Sequence, residues 1–281
     1  MIIVRIWEGL GNQLFQYAYA RALELRTGQR VYLDISEYEM RPKPLREYKL
    51  CHFKIRQPVM QCAKVFPLIN NDEYYLTDLQ YLKYFPIGLV KEKNCYFKEE
   101  LCELRGFLYL KGWFQSENYF KEFAHSIRKE IYPKKRIRIT RELKQILENE
   151  NTVSVHVRRG DFKKLHNILP IEYYEKAGEM ITNMVENPFF IVFSDDITYV
   201  RENMNFGLRC LYIDQKYGYE DYEELMIMSK CKHHIIANST FSWWGAWLNG
   251  NENKTVIAPR KWFRDKIEGD TNLIPDNWIR V

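Results

Sequence analysis

One stretch decides the expected fold of this 281-residue chain: Val153-Ser154-Val155-His156-Val157-Arg158-Arg159-Gly160-Asp161. Its valines recur at a period of two, which predicts a buried β-strand that ends at the arginines. Gly160 gives the chain a place to turn after the strand. Arg158 and Arg159 then follow the carboxyl end of that strand, where open α/β sheets bind their ligands. The stretch therefore predicts the binding edge of an α/β domain.

The arginine pair suits a diphosphate. Each guanidinium can donate two parallel hydrogen bonds to phosphate oxygens, and it stays charged at any ordinary pH. The alternative is a surface basic pair with a local Arg–Asp bridge, and this segment alone does not separate the two interpretations.

Two further predicted strands end in polar residues. Residues 189–193 lead into Ser194-Asp195-Asp196, and residues 233–237 lead into Asn238-Ser239-Thr240-Phe241-Ser242. An aspartate can accept two N–H bonds from a guanine edge or hold ribose hydroxyls. The hydroxyls and amides before the next predicted helix form a positive helix N-terminus that favours an anion. Because parallel strands end at the same edge, the clusters together predict a nucleoside-diphosphate pocket.

The wider pattern predicts two α/β domains with doubly wound, mostly parallel sheets. A strand at 2–7, a glycine loop, a helix at 14–26 ended by Gly28 and a strand at 31–35 form a β-α-β opening. Strands and helices alternate again after Thr152. We place the domains at 1–150 and 151–281, with the polar stretch 134–151 as a linker, and residues 41–102 give no clear pattern.

Composition narrows the function. The net charge of +5 is compatible with an anionic small-molecule substrate and falls short of a nucleic-acid binder. No apolar run is long enough for a membrane span, although peripheral association through basic surface stays open. The six cysteines are scattered without a C-x-x-C pair, which predicts reduced thiols in a cytosolic protein.

Metal and dinucleotide sites are both disfavoured. Asp195 and Asp196 are adjacent, so along a strand they would point to opposite faces, and the same holds for the pair His233-His234. The loop Gly9-Leu10-Gly11-Asn12-Gln13-Leu14 precedes Asp34 at near-fingerprint spacing. Leu14, however, replaces the third glycine that close helix–strand packing requires. We also expect Trp243, Trp244 and Trp247 to pack in the core.

Several motifs in combination resemble the bacterial α-1,2-fucosyltransferases of glycosyltransferase family eleven. They span nearly the whole chain in the expected order: residues 9–18 (GLGNQLFQYA), 112–117 (GWFQSE), 156–162 (HVRRGDF), 193–196 (FSDD) and 238–244 (NSTFSWW). Glu8 departs from the pattern, because many members have glycine there.

The resemblance implies a GT-B-like two-domain fold with the donor site in the C-terminal domain. It implies an inverting, metal-free transfer of fucose from GDP-fucose to the 2-hydroxyl of a terminal galactose in a glycan, with no cofactor. Alternatives left open are a GDP-sugar-binding protein and a transferase of a different sugar. The location we expect is cytoplasmic, with association at the inner face of the membrane left open.

The resemblance also distributes roles among the candidate residues. Donor contacts fall on His156, Arg158, Arg159, Asp195, Asp196, Ser239, Thr240, Phe241 and Ser242. Acceptor-side loop positions fall on Gly9, Gly11, Asn12, Gln13 and Gln115. The arginines would stabilise the leaving diphosphate. Asp161 and His166 are candidates for the general base, and for Asp161 the alternative is orienting an arginine.

Overall fold

A computed structural model of the chain describes residues 1–40, 46–61, 88–92, 96–160, 167–263 and 272–281. The chain divides into two compact units, Met1–Lys135 with Thr271–Leu273 and Arg136–Asp270 with Ile274–Val281. Each unit is built on its own parallel sheet with helices packed against it. The predicted α/β class is therefore confirmed.

The first unit contains a five-stranded sheet. Its strands are β1 (Ile2–Arg5), β2 (Val31–Asp34), β3 (Val59–Met60), β4 (Gly88–Lys91) and β5 (Leu108–Lys111), in the order β3-β2-β1-β5-β4. All of these pairings are parallel. Its α-helices within the described residues are α1 (Leu10–Thr27), α2 (Ser36–Met40) and α3 (Ala124–Glu130).

Two predicted elements of this unit differ in extent. Helix α1 begins at Leu10 with Gly9 as its N-cap, so most of the predicted glycine loop is the first helical turn. Its predicted end is confirmed, because Gly28 adopts a left-handed φ of 69° and donates its N–H to Glu24. The sequence also predicts that Ser116 caps a helix running to about Ile131, but Ser116 caps only a short 3₁₀ turn and α3 starts at Ala124.

The second unit contains a six-stranded parallel sheet in the order β11-β10-β9-β6-β7-β8. Its strands are β6 (Asn151–Val157), β7 (Pro188–Ser194), β8 (Cys210–Ile213), β9 (His233–Ile235), β10 (Val256–Ala258) and β11 (Ile279–Arg280). Its described α-helices are α4 (Arg141–Asn149), α5 (Ile171–Met184), α6 (Ile197–Asn203), α7 (Asp221–Met228) and α8 (Thr240–Leu248).

Helices cover both faces of this second sheet. Along β7, Val192 belongs to a core that includes Ala177 of α5 and Val200 of α6. The next residue, Phe193, belongs to a separate core that includes Leu143 of α4 and Ile227 of α7. Successive strand side chains point to opposite faces, so this alternation is what a doubly wound sheet requires.

Residues expected to be structural are structural. The His234 ring is fully buried, with Nδ1 2.7 Å from the Ser154 hydroxyl and Nε2 2.7 Å from the Asn249 amide nitrogen. His233 Nδ1 accepts the backbone N–H of Thr255 at 3.0 Å. The indoles of Trp243, Trp244 and Trp247 lie buried against one another. The histidine pair and the tryptophan cluster therefore stabilise the fold, as predicted.

The cysteines within the described residues are free thiols, namely Cys51, Cys102, Cys210 and Cys231. Cys62 and Cys95 lie outside the described residues. No helix in the described part of the chain is long and apolar enough to cross a membrane. The cytosolic location stays a prediction.

Helix α4 lies in the stretch that the sequence suggested as a linker. Its Leu143 is fully buried and packs in the same core as Ile191 and Phe193 of β7. The helix therefore belongs with the second sheet, and the division between the units falls after Lys135 rather than at 150/151. The acceptor and donor roles predicted for the two domains stay predictions.

Leu143→Ala should lower the free energy of unfolding by about 2–4 kcal/mol, because it leaves a cavity between α4 and the sheet. Gln145→Ala, at an exposed position of the same helix, should change it by less than about 0.5 kcal/mol. Urea unfolding of both variants measures the difference. Equal, small effects would mean that α4 is a solvated linker.

Candidate functional site

The arginine loop meets the end of the neighbouring strand. Strands β6 and β7 pair in parallel up to Val157 and Ser194, so the residues after them share one sheet edge. Arg158 Nη1 lies 2.7 Å from Asp195 Oδ2, and Arg159 Nε lies 3.3 Å from Asp196 Oδ2. The backbone N–H of Arg159 also donates to Asp195 Oδ1 at 2.8 Å. The predicted convergence of these two clusters is confirmed.

Gly160 is required for space. Gly160 is described, and it is not one of the residues with positive φ. Its backbone angle therefore does not require glycine. A Cβ built on it would lie 2.6 Å from Asp195 Oδ2 and 3.1 Å from Asp195 Cγ. The glycine therefore lets Asp195 approach closely enough to hold both arginines.

Tyr199 orients the second arginine, and sequence reasoning missed it. The Arg159 guanidinium carbon lies 3.1 Å from the centre of the Tyr199 ring. Tyr199 belongs to α6, three residues after Asp196, so the same turn that places Asp196 also places the ring. Stacking and the ion pair to Asp196 together fix the plane of the guanidinium. An aromatic residue one helical turn after the aspartates was the available signal.

His156 is a buried neutral side chain next to the arginines. It is 5% exposed, its ring centre lies 5.5 Å from that of Phe241, and its Nδ1 has no partner among the described residues. Burial and, to a lesser extent, the positive charge of Arg158 lower its pKa to about 3, against a smaller opposing effect of Asp195. At neutral pH it can serve a ligand only as a neutral hydrogen-bonding group.

The third predicted cluster reaches the same edge, because β9 pairs in parallel with β6 through Ile235 and Val155. Ser239 is the N-cap of α8 and accepts the backbone N–H of Phe241 at 3.3 Å. The Ser242 hydroxyl is buried, accepts the N–H of Ala237 at 3.2 Å and donates to Ser239 O at 3.3 Å. Ser242 therefore shapes the turn, whereas Thr240 and Phe241 are partly exposed.

A cavity of about 470 Å³ adjoins the aspartates. Its walls come from the end of β7 and the start of α6, from the end of β8 and the turn after it, and from α7: Ser194, Asp195, Asp196, Ile197, Thr198, Ile213, Asp214, Gln215, Gly218, Tyr219 and Glu224. This volume lies in the range of small-molecule sites. The wall residues from β8 and α7 were not predicted as site residues. No local sequence pattern in a short strand or a helix indicates that the two line the same cavity.

Glu224 and Asp214 supply the further carboxylates of this cavity. Burial and, to a lesser extent, the negative charges of Asp221 and Asp195 raise the pKa of Glu224 to about 7. Asp214 instead pairs with Arg201 at 3.0 Å and accepts the N–H of Lys216 at 3.2 Å. Glu224 is thus the carboxylate with the stronger tendency to gain hydrogen-bond donors from a ligand.

The general-base candidates Asp161 and His166 lie outside the described residues, and their roles stay predictions. Within the described residues, no group of three or more His, Cys, Asp or Glu side chains is placed to hold a metal ion. Asp195 and Asp196 each hold an arginine instead.

The acceptor-side candidates in the first unit divide into two groups. Gln115 Nε2 donates to Asn12 Oδ1 at 2.7 Å, so these two predicted residues do meet. Gly9 and Gly11 belong to the start of α1, where Gly9 is the N-cap and Gly11 is buried. Their contribution to ligand contact stays a prediction.

Gln13, a predicted acceptor-side loop position, makes its side-chain hydrogen bonds within the protein, and its role toward a ligand stays a prediction. Its side chain is fully buried. Its amide donates to Glu8 O at 2.9 Å and Glu47 O at 2.8 Å, and its carbonyl accepts the N–H of Lys49 at 2.9 Å. Its amide nitrogen and its carbonyl oxygen are therefore both bonded to backbone groups, so Gln13 positions the loop.

The acidic residue of the dinucleotide site weighed above is engaged within the fold. Asp34, which would have to bind a ribose, is fully buried. Its carboxylate accepts the Ser36 hydroxyl at 2.6 Å and the Tyr109 hydroxyl at 2.7 Å. The Asp34 carboxylate is therefore bonded within the fold, and the absence of a dehydrogenase-type cofactor stays a prediction.

The chain has two α/β units, each built on a parallel sheet. In the second unit an arginine pair follows the end of a strand and lies beside a cavity of small-molecule size. This is the architecture of a GT-B-like glycosyltransferase. The chain belongs to the family described as Glycosyl transferase family 11, whose model matches residues 1–281. The predicted family is therefore confirmed.

Relatives extend over the full chain. The chain is 33% identical to the O-antigen biosynthesis glycosyltransferase WbnK of Escherichia coli, covering 97% of this chain and 98% of that protein. It is 30% identical to an alpha-1,2-colitosyltransferase of Escherichia coli, covering 100% and 99%. It is 24% identical to galactoside 2-alpha-L-fucosyltransferase SEC1 of Bos taurus, covering 97% and 71%.

Among solved structures, the fucosyltransferase NodZ from Bradyrhizobium is similar with a TM-score of 0.52 at 13% identity. The match covers 87% of this chain and 92% of that one. At this identity the similarity concerns the fold, and it confirms the GT-B-like architecture.

Gly160→Ala should lower the free energy of unfolding by about 1–3 kcal/mol, because the new methyl group overlaps the Asp195 carboxylate. In an Asp195→Ala background the overlap is gone, so the same substitution should cost much less. A urea double-mutant cycle measures this coupling. Gly178→Ala, where a Cβ meets nothing within 4 Å, is the control, and additive effects at 160 and 195 would contradict the packing argument.

Proposed function

We propose that this protein transfers L-fucose from GDP-fucose to the 2-hydroxyl of a terminal galactose in a glycan, with inversion and without a metal or other cofactor. The observation that carries the proposal is the Arg158–Arg159 pair, held by Asp195 and Asp196 beside a cavity of about 470 Å³. Family membership and the galactoside fucosyltransferase among the relatives support it.

The arginine pair would carry the leaving-group chemistry. The galactose hydroxyl attacks the anomeric carbon of fucose from the face opposite GDP, and negative charge develops on the departing β-phosphate. Each guanidinium has five N–H donors, and a single carboxylate oxygen does not use all of them, so donors remain for phosphate oxygens. Because ion pairs and the Tyr199 ring already fix both guanidiniums, they need little reorganisation as charge develops.

The cavity would hold the nucleoside. Guanine presents two adjacent N–H donors on one edge, and a carboxylate that accepts both distinguishes it from the pyrimidines. Glu224 suits this role better than Asp214, whose carboxylate already pairs with Arg201. Asp195 and Asp196, predicted to contact guanine or ribose, hold the arginines, which favours a positioning role for them.

A donor with a different sugar is the second candidate. The 30% identical relative is named for colitosyl transfer, so colitose is the specific competitor of fucose. Both candidates share the nucleotide end of the site and differ only at the sugar. A binding protein without transfer activity is the remaining alternative.

The decisive experiment is a product assay. Purified protein is incubated with GDP-fucose and lactose in excess EDTA, and the products are separated and sequenced. We expect a trisaccharide with fucose on galactose O2. A parallel reaction with GDP-colitose tests the second candidate, and GDP binding without any product would leave only the binding protein.

Arg158→Ala and Arg159→Ala should each lower kcat by about 10²-fold or more, because each removes a preorganised donor to the leaving phosphate. Arg209→Ala is the matched control, since this exposed arginine pairs with Glu150 at the opposite end of β8. Steady-state rates, with circular dichroism to verify folding, measure the effect. A folded variant at 158 or 159 with wild-type kcat/KM would contradict the proposed role.

GDP should bind more tightly above pH 7 than below it. Guanine donors favour the charged form of Glu224, whose pKa of about 7 is raised by burial, so protonation at lower pH removes the acceptor. Glu224→Gln should bind GDP more weakly and should lose this part of the pH dependence. Calorimetric titration at pH 6 to 8 compares the two proteins, which cancels the titration of GDP itself. Identical pH profiles would rule Glu224 out as the base contact.

A further inference from the structure

Two tryptophans stand side by side at the carboxyl edge of the first sheet. Trp7 follows the end of β1 by two residues, and Trp113 follows the end of β5 by two residues. Strands β1 and β5 are parallel neighbours, so both indoles lie at the edge where open α/β sheets bind ligands. Their ring centres are 4.8 Å apart at an interplanar angle of 43°, and both side chains are partly exposed.

The backbone after each indole is strained. Among the described residues, the non-glycine positions with positive φ are Glu8 at 69°, Phe114 at 51° and Asn187 at 46°. Two of these three directly follow Trp7 and Trp113. Left-handed backbone at a non-glycine residue is costly, and it persists where surrounding contacts enforce it, which is common at ligand sites. The fold therefore imposes, directly after each indole, a backbone conformation that is unfavourable for the residue there.

Buried amides hold the first indole. Gln13 donates to Glu8 O at 2.9 Å, which fixes the strained residue. Gln16 Oε1 accepts the backbone N–H of Trp7 at 3.0 Å, and Trp7 Nε1 donates to Gly112 O at 3.2 Å. Gln13 and Gln16 are both fully buried. The orientation of the Trp7 ring is thus set by hydrogen bonds at its backbone and at its edge. The Trp113 ring and Lys111 Nζ, 5.8 Å from the centre of the Trp7 ring, also lie against it.

A buried carboxylate holds the second indole. Glu92 Oε2 accepts the N–H groups of Trp113 and Phe114, each at 2.8 Å, and Glu92 Oε1 accepts the Tyr119 hydroxyl at 3.3 Å. Glu92 is 6% exposed, and burial raises its pKa to about 7. A Cβ on Gly112 would lie 2.7 Å from Glu92 Cβ, so glycine is needed for this approach. Burying a carboxyl group to fix one turn is expensive, and stability alone is better served by an apolar residue.

We infer that Trp7 and Trp113 form a platform on which a sugar ring of the acceptor glycan stacks, and that Gln13, Gln16 and Glu92 are its positioning residues. The apolar C–H face of a pyranose fits against an indole face, while polar groups at the rim contact its hydroxyls. Such polar groups are present, because Gln115, two residues after Trp113, donates a hydrogen bond to Asn12 Oδ1. The inference rests on the proposed function for the identity of the sugar.

Acceptor kinetics test the platform. Trp113→Ala and Trp7→Phe should raise the KM for lactose, about tenfold for the first and less for the second, with the KM for GDP-fucose unchanged. A tenfold change corresponds to the loss of one good aromatic contact. Tyr132→Ala is the matched control, because this aromatic side chain of the same unit is 55% exposed and should change neither KM.

Glu92 provides the test of positioning. Glu92→Ala should raise the KM for lactose about as much as Trp113→Ala, and combining the two should add little, because both remove the same contact. Glu92→Gln keeps an oxygen for the two amides and offers an N–H to the Tyr119 hydroxyl, so it should restore most of the lost affinity. A purely structural Glu92 would lower the unfolding temperature of the alanine variant and leave the KM for lactose unchanged.

Direct binding separates this inference from the proposed function. Titrating the protein with lactose in the absence of donor should change its tryptophan fluorescence, and Trp113→Ala should abolish that change. Sugar binding at Trp113 without any transfer would overturn the proposed function and keep the platform. Transfer with an unaltered lactose KM in Trp113→Ala would overturn the platform and keep the proposed function, and so would unchanged fluorescence of the wild-type protein.

Discussion

The site in the second unit depends on the carboxylate of Asp195. One of its oxygens pairs with the Arg158 guanidinium, the other accepts the backbone N–H of Arg159, and the group fills the space above Gly160. It thereby joins the ends of β6 and β7 through side-chain contacts. Without it, two adjacent arginines at a strand end would be long, mobile cations. With it, and with Asp196 and Tyr199 holding the Arg159 guanidinium, they are held in one geometry before any ligand arrives.

Holding the arginines with carboxylates has an electrostatic consequence. Arg158, Arg159, Asp195 and Asp196 form a cluster of balanced formal charge, and His156 beside it is neutral because burial lowers its pKa. The cluster is therefore less a concentration of positive charge than a set of oriented N–H donors. Donors of this kind stabilise charge that develops during a reaction more than charge already present. The cavity next to it, with Glu224 in its wall, extends the polar surface along the same edge.

The first unit uses buried polar groups in a similar way. Three buried side chains bond to backbone groups of the segments that carry Trp7 and Trp113, namely those of Glu92, Gln13 and Gln16. In the first unit these buried groups, and in the second unit the partly exposed carboxylate of Asp195, fix a loop just after a strand. Such groups define one loop conformation, which an apolar residue of equal size could not do.

The sequence by itself determined the α/β class, the strand ends and the polar clusters after β6, β7 and β9, because alternating apolar residues and helix-ending glycines are local signals. It also indicated that His233, His234 and the Trp243 cluster are structural. Only the tertiary structure decided that Gly160 makes room for Asp195, that Tyr199 stacks on Arg159 and that Glu224 faces the cavity. It also decided that Gln13 is buried and that Glu92, from a stretch with no readable pattern, supports Trp113. The physical reason is that these roles depend on distances between segments far apart in the chain, which no periodicity within one segment encodes.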